Sequence, residues 1–408
     1  MSSQIPVVLV CAGERPTLEA RLAAFGAFPV VKTGFNEAPE AIAEIRPAAV
    51  LADLNGMPDD ALAALAERCE RLPAYTPLIV LGQTDTLPHN ALPFCADTEE
   101  GLADRLSAAL RVRTLHMTVL RRLGDGGAAV VLPDHDPLKD ATILLVGRGR
   151  SFAPLSVAFG ERTVVIGALT VEAAAKHLNS RDIDGLVLGD GFSHRIAAAF
   201  LTVLAEDVRF RSLPIVVAGS LVGDAAPKLA NLELVRGPPE RVVAHAIPLV
   251  RQQAFAARLD RTLKAMDTGG LIDPSTGLLT PDAFDRDWDK TVADTLAEGG
   301  ALSAARFTFA GIDPRTCRDA ARILERLMRS TDFASLRDDN SIVTAFAATD
   351  LRTAHVIARR LAGVLRQTAM GPGKDRINPL VTLATLKPTD TAGTILERLN
   401  NGISREAS

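Results

Sequence analysis

The chain has 408 residues, of which 47% are hydrophobic, and this composition is ample for several separately packed domains. Its formal net charge of -4 provides no basic field for a polyanion, so nucleic acid is not expected as a partner, and any anionic ligand requires a local cationic cluster. The 4 cysteines (Cys11, Cys69, Cys95 and Cys317) lack the spacing of a zinc site, and no run of about 20 apolar residues occurs. We therefore expect a reduced, cytoplasmic protein without a membrane span or a bound metal.

The first 123 residues alternate apolar strands with helical segments. Strands are predicted at residues 6–10, 29–32, 48–53 and 76–81, followed by a long helix over about 98–123. This repeat predicts a parallel α/β sheet. Asp53 ends the third strand, at the edge where open α/β sheets carry their functional sites.

The same pattern recurs in residues 139–266. Strands are predicted at 142–146, 163–166, 186–190 and 214–218, and a long helix at 240–266, so that Asp190 ends the third strand as Asp53 does. Between the two patterns, the glycine- and aspartate-rich residues 124–137 predict a solvated linker. His135 lies in this linker between two aspartates, but no distant ligands accompany it, and we do not expect it to bind a metal.

These two segments resemble the flavodoxin-like receiver domains of response regulators. In that family, Mg²⁺ assists phosphorylation of the aspartate, and the resemblance implies an acidic pair after the first strand and a lysine near the last. The acidic pair is replaced by Cys-Ala at 11–12 and by Gly-Arg at 147–148, and the lysine turn of the second segment reads Arg-Gly-Pro at 236–238. We expect degenerate receivers that serve as scaffold or homodimerisation modules, with weak phosphorylation of Asp53 as the alternative.

The remaining residues, 270–408, carry two short motifs. Residues 273–278 read Asp-Pro-Ser-Thr-Gly-Leu, and residues 329–332 read Arg-Ser-Thr-Asp, followed after five residues by Asp-Asp-Asn-Ser-Ile at 338–342 within a predicted strand-turn-strand. The first motif resembles the opening of GGDEF domains, which in diguanylate cyclases make cyclic di-GMP. The second resembles their Arg-x-x-Asp inhibitory site, placed before a hairpin that lacks the family's glycines. The resemblance implies a degenerate GGDEF α/β domain.

The resemblance also implies that catalysis is lost. Asp338 and Asp339 stand where a triphosphate needs bare backbone, and Asn340 and Ser341 supply no anionic metal ligand. Asp313, after a predicted strand at 306–309, is a candidate for the family's other metal carboxylate, but by itself it does not make a site. The interval from Asp313 to residue 329 is too short for the family's guanine-reading helix. We therefore expect no enzyme activity, no catalytic residue and no cofactor.

The inhibitory-type site is retained in the sequence. Arginine pairs bidentately with phosphate oxygens or guanine and stacks on purines, while aspartate accepts hydrogen bonds from guanine N–H groups. By this resemblance Arg329, Asp332 and Arg360 are expected to bind cyclic di-GMP. Chance remains an alternative, because an Arg-x-x-Asp pair also occurs at 181–184 and at 286–289, where it predicts only an exposed ion pair.

The order of the three segments is similar to that of PleD-type cyclases and of their inactive, PopA-like relatives. That similarity implies a cyclic di-GMP receptor at the cell pole, which recruits a proteolytic adaptor for the degradation of cell-cycle factors. Two alternatives remain: a residual diguanylate cyclase, and a receiver protein that responds to phosphorylation.

Overall fold

The computed structural model describes residues 5–25, 28–58, 60–94, 101–124, 132–219, 229–298, 301–329, 331–368 and 377–406. Contacts between residues group the chain into two compact units, of which the first contains the first two sheets and the second contains the third sheet. No helix in the described ranges is long and apolar enough to cross a membrane.

The first sheet has five parallel strands, which are almost uniformly apolar because helices cover both faces. Its order, β2-β1-β3-β4-β5, is the flavodoxin-like order of doubly wound sheets. The strands are β1 (Val7–Val10), β2 (Val30–Thr33), β3 (Ala49–Asp53), β4 (Leu78–Leu81) and β5 (Ala91–Phe94), and the helices are α1 (Pro16–Phe25), α2 (Ala38–Ile45), α3 (Ala61–Glu70) and α4 (Leu102–Gly124).

The second sheet repeats this arrangement with the order β10-β9-β8-β6-β7, again with all neighbours parallel. Read from its other edge, the order is the same flavodoxin-like one. The strands are β6 (Thr142–Val146), β7 (Val164–Ala168), β8 (Gly185–Leu188), β9 (Ile215–Ala218) and β10 (Leu232–Val235), and the helices are α5 (Phe152–Gly160), α6 (Val171–Ser180), α7 (His194–Glu206) and α8 (Pro239–Asp267).

The predicted parallel sheets are confirmed, but each contains one strand that the sequence analysis missed. β5 carries Pro93 and β10 carries the buried Glu233, and both residues interrupt the apolar pattern. Both strands lie at a sheet edge, where a proline that cannot donate a hydrogen bond is tolerated. The predicted start of α4 near Thr98 and the linker glycines 126 and 127 lie outside the described residues.

The linker around His135 is less solvated than predicted. Arg258 of α8, which is almost fully buried, donates to the carbonyl oxygens of Pro133 (3.2 Å) and His135 (2.6 Å). His135 Nε2 lies 2.8 Å from Asp140 Oδ2, to which Arg258 also donates at 3.1 Å. These contacts fix the segment against α8.

Helices α4 and α8 join the two parallel sheets within the first unit. Leu249 of α8 lies in the core of the first sheet, and Gln252 donates to the part-buried Tyr75 hydroxyl at 2.9 Å. His245 Nε2 is 2.9 Å from the carbonyl oxygen of Thr84. The two sheets therefore share a packed interface within one chain.

The third sheet is antiparallel, with four strands in the order β12-β13-β11-β14. Helices α10 and α11 pack on the core of one face, and α9 and α12 on the other, where Trp288 is buried. The elements are α9 (Pro281–Glu298), β11 (Leu302–Thr308), α10 (Pro314–Leu327), β12 (Phe333–Leu336), β13 (Ile342–Ala347), α11 (Leu351–Thr368), β14 (Leu380–Thr385) and α12 (Ala392–Glu406).

Candidate functional site

The strand-turn-strand predicted at 338–342 forms the tight hairpin between β12 and β13. Leu336 pairs with Ile342, and Arg337 N–H donates to the carbonyl oxygen of Ser341 at 2.8 Å. Asn340 has a φ of 60°, a left-handed conformation that asparagine tolerates better than most residues. Asp338 and Asp339 are exposed at this turn.

The Asp339 carboxylate is already engaged by protein donors. It accepts from the N–H (3.1 Å) and hydroxyl (2.6 Å) of Ser341, and Arg306 of β11 donates to it. Partial burial raises the pKa of Asp339, but these hydrogen bonds and the Arg306 charge outweigh burial and lower it. A guanidinium group thus neutralises the carboxylate beside the turn, a contact that sequence reasoning missed.

Asp313 is the N-cap of α10. Its carboxylate accepts from the N–H and the hydroxyl of Thr316, both at 2.9 Å. Burial raises the pKa of Asp313, and the hydrogen bonds outweigh burial and lower it. The described residues contain no group of three or more His, Cys, Asp or Glu side chains placed to hold a metal ion. The interval after Asp313 does form a helix, α10, which contains no asparagine.

The Arg-x-x-Asp motif forms a turn between α10 and β12. The carbonyl oxygen of Arg329 accepts from Asp332 N–H at 3.0 Å, while Ser330 lies outside the described residues. Arg329 is exposed, whereas Asp332 is only 8% exposed. Because β12 separates Asp332 from the turn at Asp338, the motif and the degenerate hairpin stand at opposite ends of one strand.

Asp332 is a buried carboxylate with an unpaired oxygen. Its Oδ1 is buried and finds no hydrogen-bond partner within the described ranges. Burial raises the pKa of Asp332; the charge of Arg329, two backbone N–H groups and the charge of Arg360 oppose this shift without cancelling it. Arg360 lies on the exposed face of α11, and its charge acts on Asp332 from another element of the second unit.

Asp53 lies at the end of β3, as predicted, and is 2% exposed. Its Oδ2 is 2.7 Å from Nη1 of Arg15, and its Oδ1 accepts from Asn55 N–H at 3.1 Å. A guanidinium therefore already neutralises this carboxylate. The Arg15 contact was missed, because nothing local in the sequence links Arg15 to Asp53.

Asp190 lies two residues beyond β8 and holds the loop before α5. It accepts from the N–H groups of Arg150 and Ser151, each at 3.1 Å, and from the Ser151 hydroxyl. The Ser151 hydroxyl is the largest cause that lowers the pKa of Asp190. Three protein donors thus satisfy the ionised carboxylate.

The chain is similar to known proteins only at the level of solved structures. No family model matches the chain, and no curated protein matches it. Similar structures include the GGDEF domain of DgcB from Caulobacter crescentus in complex with c-di-GMP (14% identity, TM-score 0.32, 34% of this chain and 87% of that one). The GGDEF domain of FimX from Pseudomonas aeruginosa (15% identity, TM-score 0.30) covers 32% of this chain and 90% of that one. The active GGEEF domain of a diguanylate cyclase from Vibrio cholerae (11%, TM-score 0.29) covers 31% and 90%. At these TM-scores the likeness carries no functional conclusion.

Proposed function

We propose that this chain is a receptor for cyclic di-GMP that does not synthesise the dinucleotide, and that it acts as a signalling adaptor. The observation that carries the proposal is the buried Asp332 carboxylate, which has an unpaired oxygen and lies under the influence of two exposed arginines. A buried acceptor without a donor costs about 1–3 kcal/mol, so such a group calls for an explanation. A ligand that donates hydrogen bonds to Asp332 and offers anionic groups to Arg329 and Arg360 would satisfy all three side chains.

Cyclic di-GMP has both kinds of group. Its phosphates and the O6 and N7 atoms of guanine suit the guanidinium forks of Arg329 and Arg360, which are exposed. Guanine N1–H and N2–H are donors for Asp332. These roles follow from the resemblance to the inhibitory site of GGDEF domains and from the proximity of the three charges.

Loss of synthesis is supported by the hairpin. Asp338 and Asp339 place two side chains where a triphosphate would lie, and the exposed Asp338 carboxylate also repels its negative charge. Asp339 is engaged by Arg306 and Ser341, and Asp313 caps α10, so neither carboxylate is held ready for a metal ion. The alternative function, a residual diguanylate cyclase, predicts that the purified chain forms cyclic di-GMP from GTP and Mg²⁺.

The first unit is proposed to be a scaffold of two degenerate receivers that pairs with a second copy of the chain. Support comes from Asp53 and Asp190, both of which are neutralised or hydrogen-bonded by protein groups. Asp53→Asn and Asp190→Asn should leave the oligomeric state, measured by light scattering, unchanged. Labelling of Asp53 by acetyl phosphate, together with a change in the oligomeric state, would favour the alternative of a receiver protein that responds to phosphorylation.

The partner and the location are proposed from the architecture alone. Two receiver-like segments followed by an inactive GGDEF-like domain resemble PopA-like effectors, and on this basis we propose recruitment of a proteolytic adaptor at the cell pole.

Isothermal titration calorimetry of the full chain with cyclic di-GMP tests the proposal. One hydrogen bond to a charged group contributes ~1.5–3 kcal/mol, so Arg329→Ala should weaken binding roughly 10- to 150-fold, and Arg360→Ala by a similar factor. Arg286→Ala, which removes an exposed arginine of the unrelated Arg-x-x-Asp pair on α9, is the matched control and should bind as the wild type does. The proposal fails if the wild type shows no heat at about 100 μM ligand, or if Arg329→Ala binds equally well.

A further inference from the structure

Helix α11 presents an exposed face that is rich in cations and contains no acid. The opposite side of the helix is buried in the core of the third sheet, with Ala354, Ile357, Leu361 and Leu365. We define the α11 face as the residues that line its surface cavity: Leu351, Arg352, His355, Val356, Arg359 and Arg360. No Asp or Glu occurs anywhere in α11, although the whole chain is net acidic.

Three cations of the α11 face lie outside the internal ion pairs of the described residues, while the charge of the fourth, Arg360, acts on Asp332. Within the part of the chain that the structure describes, the side chains of Arg352, His355 and Arg359 form no ion pair or hydrogen bond, and the exposed Asp350, directly before α11, is influenced by the Arg352 charge. Exposed charges on helices are commonly balanced by opposite charges three or four residues away, and α11 has no acid to do so. The face is therefore complementary to a negatively charged partner.

Two aliphatic side chains stand among these cations. Leu351 is 40% exposed and Val356 is 67% exposed, and both line a cavity of about 770 Å³ on this face. A flat anionic surface would leave these side chains and the cavity unused. An apolar side chain on a partner would enter part of the cavity and remove aliphatic surface from water, which contributes about 25 cal/mol per Å².

The size of the α11 face limits what can bind. Arg352 and Arg360 are eight residues apart, which at 1.5 Å per residue spans about 12 Å along the helix. This length matches about four residues of extended peptide. RNA or a membrane surface would extend beyond it onto a chain whose net charge is -4, where repulsion opposes binding. A short acidic segment contacts only the α11 face itself.

We propose that the α11 face docks a short linear segment of a partner protein that carries two or more Asp or Glu residues and one aliphatic side chain. This inference rests on the adaptor function proposed above and specifies the chemistry of its partner. Arg360 also belongs to the proposed nucleotide site, so the variants that test docking leave it unchanged.

The test is a peptide selection against the immobilised full-length chain. A random library of displayed peptides of about 12 residues is selected on the wild type and counter-selected on Arg352→Glu/Arg359→Glu. We expect enrichment of acidic sequences with an aliphatic residue. By fluorescence anisotropy, the best peptide should bind the double variant at least about tenfold more weakly, and binding should weaken as salt rises.

A matched charge reversal on α9, Arg286→Glu/Lys290→Glu, should leave peptide binding unchanged, because both residues are exposed outside the α11 face. Absence of enrichment, enrichment of neutral or basic peptides, or equal binding by Arg352→Glu/Arg359→Glu would overturn the docking proposal. So would tighter binding, through the same two arginines, of single-stranded RNA or of vesicles with about one third phosphatidylglycerol.

Calorimetry with cyclic di-GMP separates this proposal from the receptor function. If Arg352→Glu/Arg359→Glu binds the dinucleotide as the wild type does but loses the peptide, docking is supported independently of the nucleotide site. If the wild type binds an acidic peptide but no dinucleotide, the receptor function fails and docking stands.

Discussion

The buried ion pair between Arg105 and Glu233 lies between the two parallel sheets of the first unit, and its removal tests how much it stabilises their interface. Arg105 of α4 is 1% exposed and Glu233 of β10 is 3% exposed, with Nη2 and Oε1 2.7 Å apart. The same guanidinium donates to the carbonyl oxygens of Ala230 (2.7 Å) and Leu232 (3.1 Å), and of Pro93. One side chain therefore links edge strands of the two parallel sheets.

We predict that Arg105→Met lowers the free energy of unfolding of the first unit by about 3–5 kcal/mol. Methionine retains much of the apolar packing, but the variant removes a guanidinium from a buried carboxylate, and breaking a buried pair costs that amount. The lost donors to three carbonyl groups act in the same direction. Arg111→Met, an exposed arginine on the same helix, should change this free energy by no more than about 0.5 kcal/mol.

Urea unfolding of the full chain measures the effect, because two probes separate the two units. The chain has 1 tryptophan, Trp288, which is buried in the second unit, so its fluorescence follows that unit alone. Far-UV circular dichroism follows both units. With a slope of about 1–3 kcal/mol per molar urea, Arg105→Met should lower the midpoint of the first unit by at least about 1 M and leave the tryptophan transition in place.

A shift in the first-unit transition no larger than that of Arg111→Met would refute the reasoning. It would mean that the interface does not depend on the buried pair. A joint shift of both probes by the same amount would refute the independence of the two units.

Three further predictions concern carboxylates. The pKa of Asp190 is lowered by its Ser151 hydrogen bonds, so its contribution is complete above the unfolded pKa of about 3.9 and disappears as pH falls through the folded pKa. Asp190→Asn should lower the free energy of unfolding, measured with urea, by about 1 kcal/mol at pH 7, and this loss should shrink only as pH falls below about 3.9. A loss that is already smaller between pH 7 and about pH 5 would contradict this. Burial raises the pKa of Asp332, so its carboxylate begins to be protonated, and becomes a weaker acceptor, as pH is lowered from 7 toward about 4. The affinity for cyclic di-GMP, measured by calorimetry, should fall over this range, and Asp332→Asn should lack that pH dependence. Asp338→Gly/Asp339→Gly should form no cyclic di-GMP from GTP and Mg²⁺ by chromatography, because restored glycines supply no metal carboxylate; product would refute this.

The sequence by itself determined the main elements of the fold. Strands such as β1, β4 and β6 are short apolar runs bounded by turn residues, and burial on both faces is what such runs require in a parallel sheet. The hairpin at Asp338 was likewise predictable, because its turn residues lie between two runs of strand-forming residues. These signals are local, so one sequence suffices to read them.

Only the tertiary structure decided which charges meet. Arg15 with Asp53, Arg306 with Asp339, and Arg105 with Glu233 are separated by 38, 33 and 128 positions, and no local pattern links the partners. Edge strands β5 and β10 were missed for the same reason, since their pairing depends on a neighbouring strand rather than on their own apolar pattern. The sequence named Arg329, Asp332 and Arg360 by resemblance, but the burial of Asp332 and its unpaired oxygen arise from packing between elements distant in the chain.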